Sequence, residues 1–452
     1  MAILIPDTHA GPSVAEPSVP QRASTRAWAA LIILTAAYAV AFLDRVILSL
    51  MVDPIRQDLQ VSDAQIGLLQ GFAFSLIYSV LGVPLGLAVD RYNRVRILIG
   101  GMVVWSIANM ACGLAVNFNE LFMARAFVGV GEAALAPVAA SLITAYFPPA
   151  QRGTAFGVYV AGNSMGAIIA LMLGGQLLAL SAHLIDMFPA LLGGYSPWHV
   201  VFFITGLPGL MIAAIVPLII KEPPRIVEVP RVAPGMNGAA AGRRVPYALL
   251  TCLMLAGVLV ASCAYAMISW FPTLLMRTHD LSVQRTGVLF GMTSMGMGLI
   301  SSLISGAVIA WLIRRGRPDA PVLTGIAAGA GYILFGIFAC LTGDVGLALT
   351  ASALASLLSN WITPSVLTAL TRVTAAGHVG RVVAIYTMLT GLLSMTIGSA
   401  LPGLLADTLF PTPTGIGQAL AVVYGGSAVL AIVLFLVARP LFIAELKRSE
   451  PA

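Results

Sequence analysis

Apolar residues run through the chain in long blocks, and polar residues fall in short clusters between them. Twelve blocks lie at roughly 27–50, 65–88, 95–115, 120–145, 153–180, 198–220, 247–276, 284–313, 320–341, 344–371, 380–407 and 415–438. Each is about as long as the 17–25 residues a helix needs to cross a bilayer, and the longer ones predict tilt or protrusion. Lipid offers no partner to an unpaired backbone group, so only helices or a closed barrel can span it. The length and continuity of the blocks predict helices. The pattern therefore gives an all-α membrane protein with twelve transmembrane helices.

Composition agrees. Of 452 residues, 59% are hydrophobic and 9% charged, against roughly 25% charged in soluble domains. A soluble globule, a disordered chain, a coiled coil and a nucleic-acid partner are all excluded. The four cysteines (Cys112, Cys252, Cys263, Cys340) lie in apolar runs and form no CxxC pair, so neither a disulfide nor a metal site is expected. None of the five histidines lies deep in an apolar run, so a buried proton relay would have to use carboxylates. The two lysines, Lys221 and Lys447, follow no Gly-rich loop. A Walker A motif is thus absent, ATP is not the fuel, and no cofactor is expected.

The basic residues give an orientation. With the N-terminus inside, the 24 Lys and Arg fall in cytoplasmic segments except Arg56, Arg277 and Arg285 outside and Arg45 and Arg125 within blocks. The loop acids divide evenly. This is the positive-inside bias, and it predicts both termini in the cytoplasm. Residues 1–25, rich in Pro, Ser and Ala, read as a disordered cytoplasmic tail, and 441–452 as a second tail. The Pro-rich stretch 221–246 reads as a flexible tether, with a lipid or regulatory contact through Arg243 and Arg244 as the alternative. It separates a six-helix bundle at 26–220 from another at 247–440. The tails and the lack of an organelle signal favour a bacterial inner membrane, and a monomer is expected.

An internal repeat supports the division. The segment Gly86 to Arg96 (GLAVDRYNRVR) follows block 2, and Gly306 to Arg317 (GAVIAWLIRRGR) follows block 8. Arg152-Gly-Thr-Ala155 after block 4 matches Arg381-Val-Val-Ala384 after block 10. Two related halves imply a pseudo-two-fold axis along the membrane normal and a central site between them.

The string Gly86-x-x-x-Asp90-Arg91-x-x-Arg94-x-Arg96 resembles the signature loop of the major facilitator superfamily. In that family the aspartate is thought to lock the halves together on the cytoplasmic side near the start of helix 11, where a helix dipole rewards an anion. Closer resemblance is to the Spinster subfamily. It rests on Asp90 to Arg94 (DRYNR), the Asp44-Arg45 pair, Arg125-x-x-x-Gly129-Val-Gly-Glu132-Ala133, and Gln65 to Gln70 leading into Phe72, Phe74 and Tyr78. The match is dense in the N-terminal half and thin in the C-terminal half. It implies a lipid transporter, associated with lysophospholipids or sphingosine-1-phosphate and coupled to protons in several members. Gly157, Gly166, Gly174 and Gly175 also resemble the superfamily's antiporter motif, but Ala170 and Leu171 replace its Gly-Pro. Close helix packing by small residues is the competing reading.

Four ionisable residues lie well inside blocks: Asp44, Arg45, Arg125 and Glu132. Each costs at least ~2.5 kcal/mol at the bilayer centre if unpaired. Arg125 and Glu132 are two turns apart, so they share a face about 10 Å apart along the axis. Depth arithmetic predicts two pairs, Asp44 with Arg125 and Arg45 with Glu132. Protonating an acid would free an arginine for an anionic headgroup. Glu132 is therefore the expected proton carrier and Asp44 its modulator, with Arg45 or Arg125 gripping a phosphate or carboxylate. A static pairing that only fixes one helix against the other is the alternative.

No such residue lies deep in blocks 7 to 12. That half offers Tyr265, Trp270, Asn360, Trp361, Thr363, Tyr386 and Thr390, as cavity lining or as plain packing. From the first half, Tyr38, Phe42, Tyr159 and Asn163 join the expected lining. The expected function is secondary active transport by alternating access, with protons and an amphiphilic lipid as partners. A transporter of small organic anions or drugs is the rival. An intramembrane enzyme lacks a nucleophile–base pair within the blocks.

Overall fold

A computed structural model of the chain describes residues 23–224, 246–375 and 378–449. Most of the predicted first tail and tether lies outside the described residues, Arg243 and Arg244 included. Among the described residues there is no strand, and twelve helices are long and apolar enough to cross a membrane. Spans 1 to 6 are Thr25–Leu50, Asp63–Arg91, Arg94–Cys112, Phe118–Tyr146, Pro149–Met187 and Pro197–Ile219. Spans 7 to 12 are Tyr247–His279, Val283–Arg314, Ala320–Leu341, Val345–Val373, Val379–Thr408 and Gly415–Arg448. Span 5 runs past its predicted end, and a short helix, Pro189–Leu192, occupies part of the loop after it.

Polar residues between the blocks start the spans. Ser62 and Gln65 form a reciprocal capping box on span 2. Asn93, Asn117 and Asp344 accept from the first-turn amides of spans 3, 4 and 10. Each satisfies a donor that the helix cannot pair internally, which matters more in lipid than in water.

Two spans are broken at matching places. The helix of span 4 stops at Glu132 and resumes at Leu135, ahead of Pro137. That of span 10 stops at Ser359 and resumes at Ile362, ahead of Pro364. Proline has no N–H, and its ring crowds the carbonyl four residues back. Those carbonyls belong to Ala133 and Asn360. The repeat has thus placed one break in each half, beside Glu132 in the first and at Asn360 in the second.

Within the first six spans, span 1 packs on spans 5 and 6, and span 3 on spans 4 and 6. Span 7 takes the matching place in the second six, against spans 11 and 12. The sets meet through spans 2 and 11 and through spans 5 and 8. This is the predicted pair of pseudo-symmetric six-helix bundles.

Among the described residues, the tightest approaches between the bundles lie toward one end. A Cβ built on Gly67 would lie 2.4 Å from the Ser399 carbonyl oxygen of span 11. One on Gly287 would lie 2.0 Å from that of Leu171. Toward the other end of span 2, a side chain on Gly86 would meet nothing within 4 Å. The closed end carries Asp53, Asp58, Asp63 and Asp407, and the open end Arg91, Arg152, Arg314 and Arg315. They are called the acidic and basic ends below.

Gly162, Gly166, Gly174 and Gly175 of span 5 lie against neighbouring helices. A Cβ on Gly166 would sit 2.1 Å from the Ala39 carbonyl oxygen of span 1, whereas one on Gly157 would meet nothing within 4 Å. Overpacking typically costs about 1–3 kcal/mol. Gly166→Val should therefore lower the melting temperature of the detergent-solubilised protein by several degrees, with Gly157→Val near wild type.

Candidate functional site

The predicted quartet is brought together between spans 1 and 4, with the expected pair Arg45–Glu132 formed and the expected pair Asp44–Arg125 not. Arg45 donates from Nε to Glu132 Oε2 at 2.7 Å, and its Nη2 meets the same oxygen. Glu132 is buried by the break in span 4, and the Arg45 side chain is 12% exposed. The guanidinium carbon also lies 4.2 Å from the Phe74 ring centre, 5.0 Å from Tyr78 and 5.3 Å from Phe42. An ion pair and three π faces together replace the hydration this cation would have in water.

The second pair is not formed as expected. Arg125, fully buried, donates from Nη1 to the backbone carbonyl of Asp44 at 3.2 Å and not to its carboxylate. The Asp44 carboxylate instead accepts from Asn109 Nδ2 of span 3 at 3.0 Å. Asn109 also donates to Thr205 Oγ1 of span 6 at 2.9 Å. Nothing in the sequence marks Asn109, because a neutral amide in an apolar block carries no charge to be balanced.

Adjacent residues on a helix point about 100° apart. Arg45 accordingly faces the centre of the molecule, and Asp44 faces into the first bundle. On the central side lies a cavity of about 250 Å³ between the bundles. Six of the predicted lining residues are there: Phe42, Asn163, Tyr265, Asn360, Thr363 and Thr390. Phe42 and Tyr265 also wall a small recess that reaches Arg45, Ser49 and Gln70.

Five other predicted lining residues do not border this cavity directly. Trp270 is fully buried and donates from Nε1 to the Ser399 carbonyl at 2.6 Å, tying span 7 to span 11. Tyr386 is buried near Gly257 and Val366. Tyr38 and Tyr159 stack on each other at 4.8 Å between spans 1 and 5. Trp361 sits half-buried at the break of span 10. An aromatic block residue is as easily turned toward a neighbouring helix as toward the cavity.

The cavity wall holds a feature that no sequence pattern announces. Spans 8, 9 and 11 each contain one wide turn of π-helix: Gly291–Met295, Tyr332–Gly336 and Thr390–Ser394. Met295, Tyr332 and Thr390 from these turns all line the cavity. Such turns concentrate at functional sites. Among the described residues they occur only in the second bundle.

The basic-end motif is spread out in this conformation. Asp90 and Arg91 are exposed, and Gly86 faces open space. Arg94 is buried within the first bundle. It donates to Glu222 Oε1 at 2.6 Å, the Pro223 carbonyl at 2.7 Å and Ser141 Oγ at 3.2 Å. It therefore fastens spans 3 and 4 to the end of span 6.

At the acidic end, charges that read as solvated loop residues join the bundles. Arg277 of span 7 donates to Asp53 Oδ1 at 2.7 and 2.9 Å. It also donates to both oxygens of Asp63 at 2.6 and 2.9 Å. In return, Asp407 of span 11 accepts from the Asp63 and Ala64 amides at 3.2 and 2.7 Å. Each bundle thus gives carboxylates to the other, in a fork geometry that lysine cannot reproduce.

The family model described as Major Facilitator Superfamily matches residues 34–341. An MFS-type efflux pump of Mycolicibacterium smegmatis is 29% identical over 292 residues, 64% of each chain. A hexuronate transporter of Bacillus subtilis is 29% identical over 266 residues, 57% of this chain and 59% of its own. The chain thus spans about three fifths of the length of these two relatives. The crystal structure of a bacterial homologue of the human lysosomal transporter Spinster, inward-facing and unoccupied, superposes with a TM-score of 0.75. It is 25% identical, and the match covers 94% of this chain and 98% of that one. The Spinster resemblance read from the motifs therefore extends to the three-dimensional structure.

If the Arg277 fork holds the acidic end shut, Arg277→Ala should open it. A single cysteine at Thr363, with the native cysteines replaced, should react several-fold faster with an impermeant thiol reagent applied from that end. Arg277→Lys should fall between Arg277→Ala and wild type.

Proposed function

The chain belongs to the Major Facilitator Superfamily, and from that premise we propose a proton-coupled transporter of amphiphilic lipids with an anionic or zwitterionic head. The superfamily consists of transporters, not enzymes. In this reading the protein works by alternating access, with both termini and the basic end in the cytoplasm. Its conformation is then inward-open. The observation that carries the reading is the placement of Arg45. It is a partly exposed guanidinium, paired to a buried carboxylate, in a recess that adjoins a neutral cavity.

The steps follow from charge. While Glu132 is ionised, it holds Arg45 by two hydrogen bonds. A proton on Glu132 removes that partner and leaves Arg45 with net positive charge. An anionic head entering the cavity can take the place of the carboxylate, as a bidentate acceptor. Apolar residues such as Ala261, Ala264, Ile268 and Leu299 supply the rest of the wall, and an acyl chain suits them. Substrate and proton are then linked, because the proton takes the Glu132 carboxylate that otherwise competes with the substrate head for Arg45.

A second reading is a transporter of small organic anions or drugs. It is favoured by the printed names of the efflux pump and the hexuronate transporter and uses the same arginine. Flux in sealed liposomes decides between them. Lysophosphatidylethanolamine should compete for uptake, and glucuronate should not; the reverse result supports the second reading. Glu132→Gln should abolish the dependence of flux on a pH gradient while leaving downhill exchange. Arg45→Ala should reduce both by tenfold or more.

A further inference from the structure

The far side of span 1 carries a second polar site, walled off from the cavity. Asp44, Asn109, Arg125 and Ser106 are fully buried and Thr205 nearly so, between spans 1, 3, 4 and 6. None of these residues borders the cavity or the recess at Arg45. The site is incompletely bonded. Asp44 Oδ2 and Asn109 Oδ1 lack a donor, and Arg125 Nε and Nη2 lack an acceptor. A buried polar atom without a partner costs free energy, and here acceptors and donors of opposite charge lie in one seam. Asn109 decides which of them meet. By donating to Asp44 and to Thr205 at once, it holds the carboxylate toward spans 3 and 6. Arg125 is left with the Asp44 carbonyl.

We propose that Asn109 is a positioning residue for proton coupling: it holds the Asp44 carboxylate apart from Arg125 in the inward-open state. In the other state, span 1 shifts against span 4 within the first bundle, and Arg125 takes the carboxylate directly. The proposal rests on the proton-coupled reading above. The charged or titratable groups around Asp44 are Arg45 on its own span, Cys112 on span 3, and Arg125 and Glu132 on span 4. Span 6 contributes Thr205, which does not titrate. Asn109 is thus a neutral residue through which this set can be altered without touching a charge. Because Asp44 and Arg45 are neighbours on one rigid helix, any shift on the seam side moves the cavity side too.

The test needs no substrate. Spin labels on cysteines at Gly153 and Gly380, which face open space at the basic end of each bundle, report the inward-open population by pulsed dipolar distance measurement. The full chain in lipid nanodiscs, with its native cysteines replaced, is titrated between pH 5 and pH 8. Asn109→Asp sets a second carboxylate at hydrogen-bond distance from Asp44, and two such acids cannot both ionise. It should move the midpoint by about one unit or more toward alkaline pH. Asn109→Leu frees the Asp44 carboxylate to take Arg125, whose full charge favours the ionised form more than an amide does, and should move the midpoint the other way, toward acid pH. Thr205→Val keeps the shape but frees the amide, and should give a smaller shift. A merely structural Asn109 would lower the melting temperature and leave the midpoint in place. An unmoved midpoint in Asn109→Asp and Asn109→Leu, with titration abolished in Asp44→Asn, overturns the role of Asn109 alone. A titration unaltered in both Asp44→Asn and Glu132→Gln overturns the coupling reading beneath it.

Discussion

A charge in lipid must find a partner, and the first bundle is organised around that requirement. Arg45 and Glu132 satisfy each other across spans 1 and 4, and the nearby aromatic rings take up what remains of the cation's field. The pair depends on the break in span 4. A proline five residues past Glu132 disrupts the hydrogen-bond ladder there. Backbone, ion pair and aromatic wall are one arrangement, and none of them would stand in a membrane without the others.

The two bundles divide the tasks unequally. Among the described residues the first holds every acidic or basic side chain that lies deep in a span, and the second answers with neutral hydroxyls, an amide and apolar surface. Their shared ancestry shows in the paired breaks, where Glu132 and Asn360 stand at matching stations. The same station is ionic in one bundle and neutral in the other. Under the function proposed above, movement of one bundle against the other sets a charged wall against an uncharged one, and among the described residues no ion pair in the cavity joins the bundles. The pairs that do cross between bundles, at Arg277 and Asp407, lie at the acidic end.

Much of this was legible in the sequence. Twelve spans, the six-and-six division and the meeting of Arg45 with Glu132 follow from block lengths, proline spacing and helical rise. Asp44 shows where such arithmetic stops. Depth alone pairs it with Arg125, but the rotation of span 1 turns its carboxylate to span 3, and Asn109 meets it there. The acidic-end fork was hidden for another reason. Asp53, Asp63, Arg277 and Asp407 stand at span ends, where charge needs no explanation, and sequence separations of more than 200 residues conceal their contact. Trp270 and Tyr386 illustrate the same limit, since an aromatic's facing depends on helix rotation and not on its neighbours in the chain.

The three π turns have a consequence for how the cavity can change shape. A π turn is an α-helix carrying one surplus residue, so the ladder around it can re-register by exchanging a few hydrogen bonds. Such an exchange turns the side chains beside it by a large fraction of a circle and leaves the helix ends where they are. Met295, Tyr332 and Thr390 all sit at such points on the wall. The second bundle therefore has slack built into the cavity wall, while its outer packing stays fixed. A wall of this kind can mould itself to occupants of different shape.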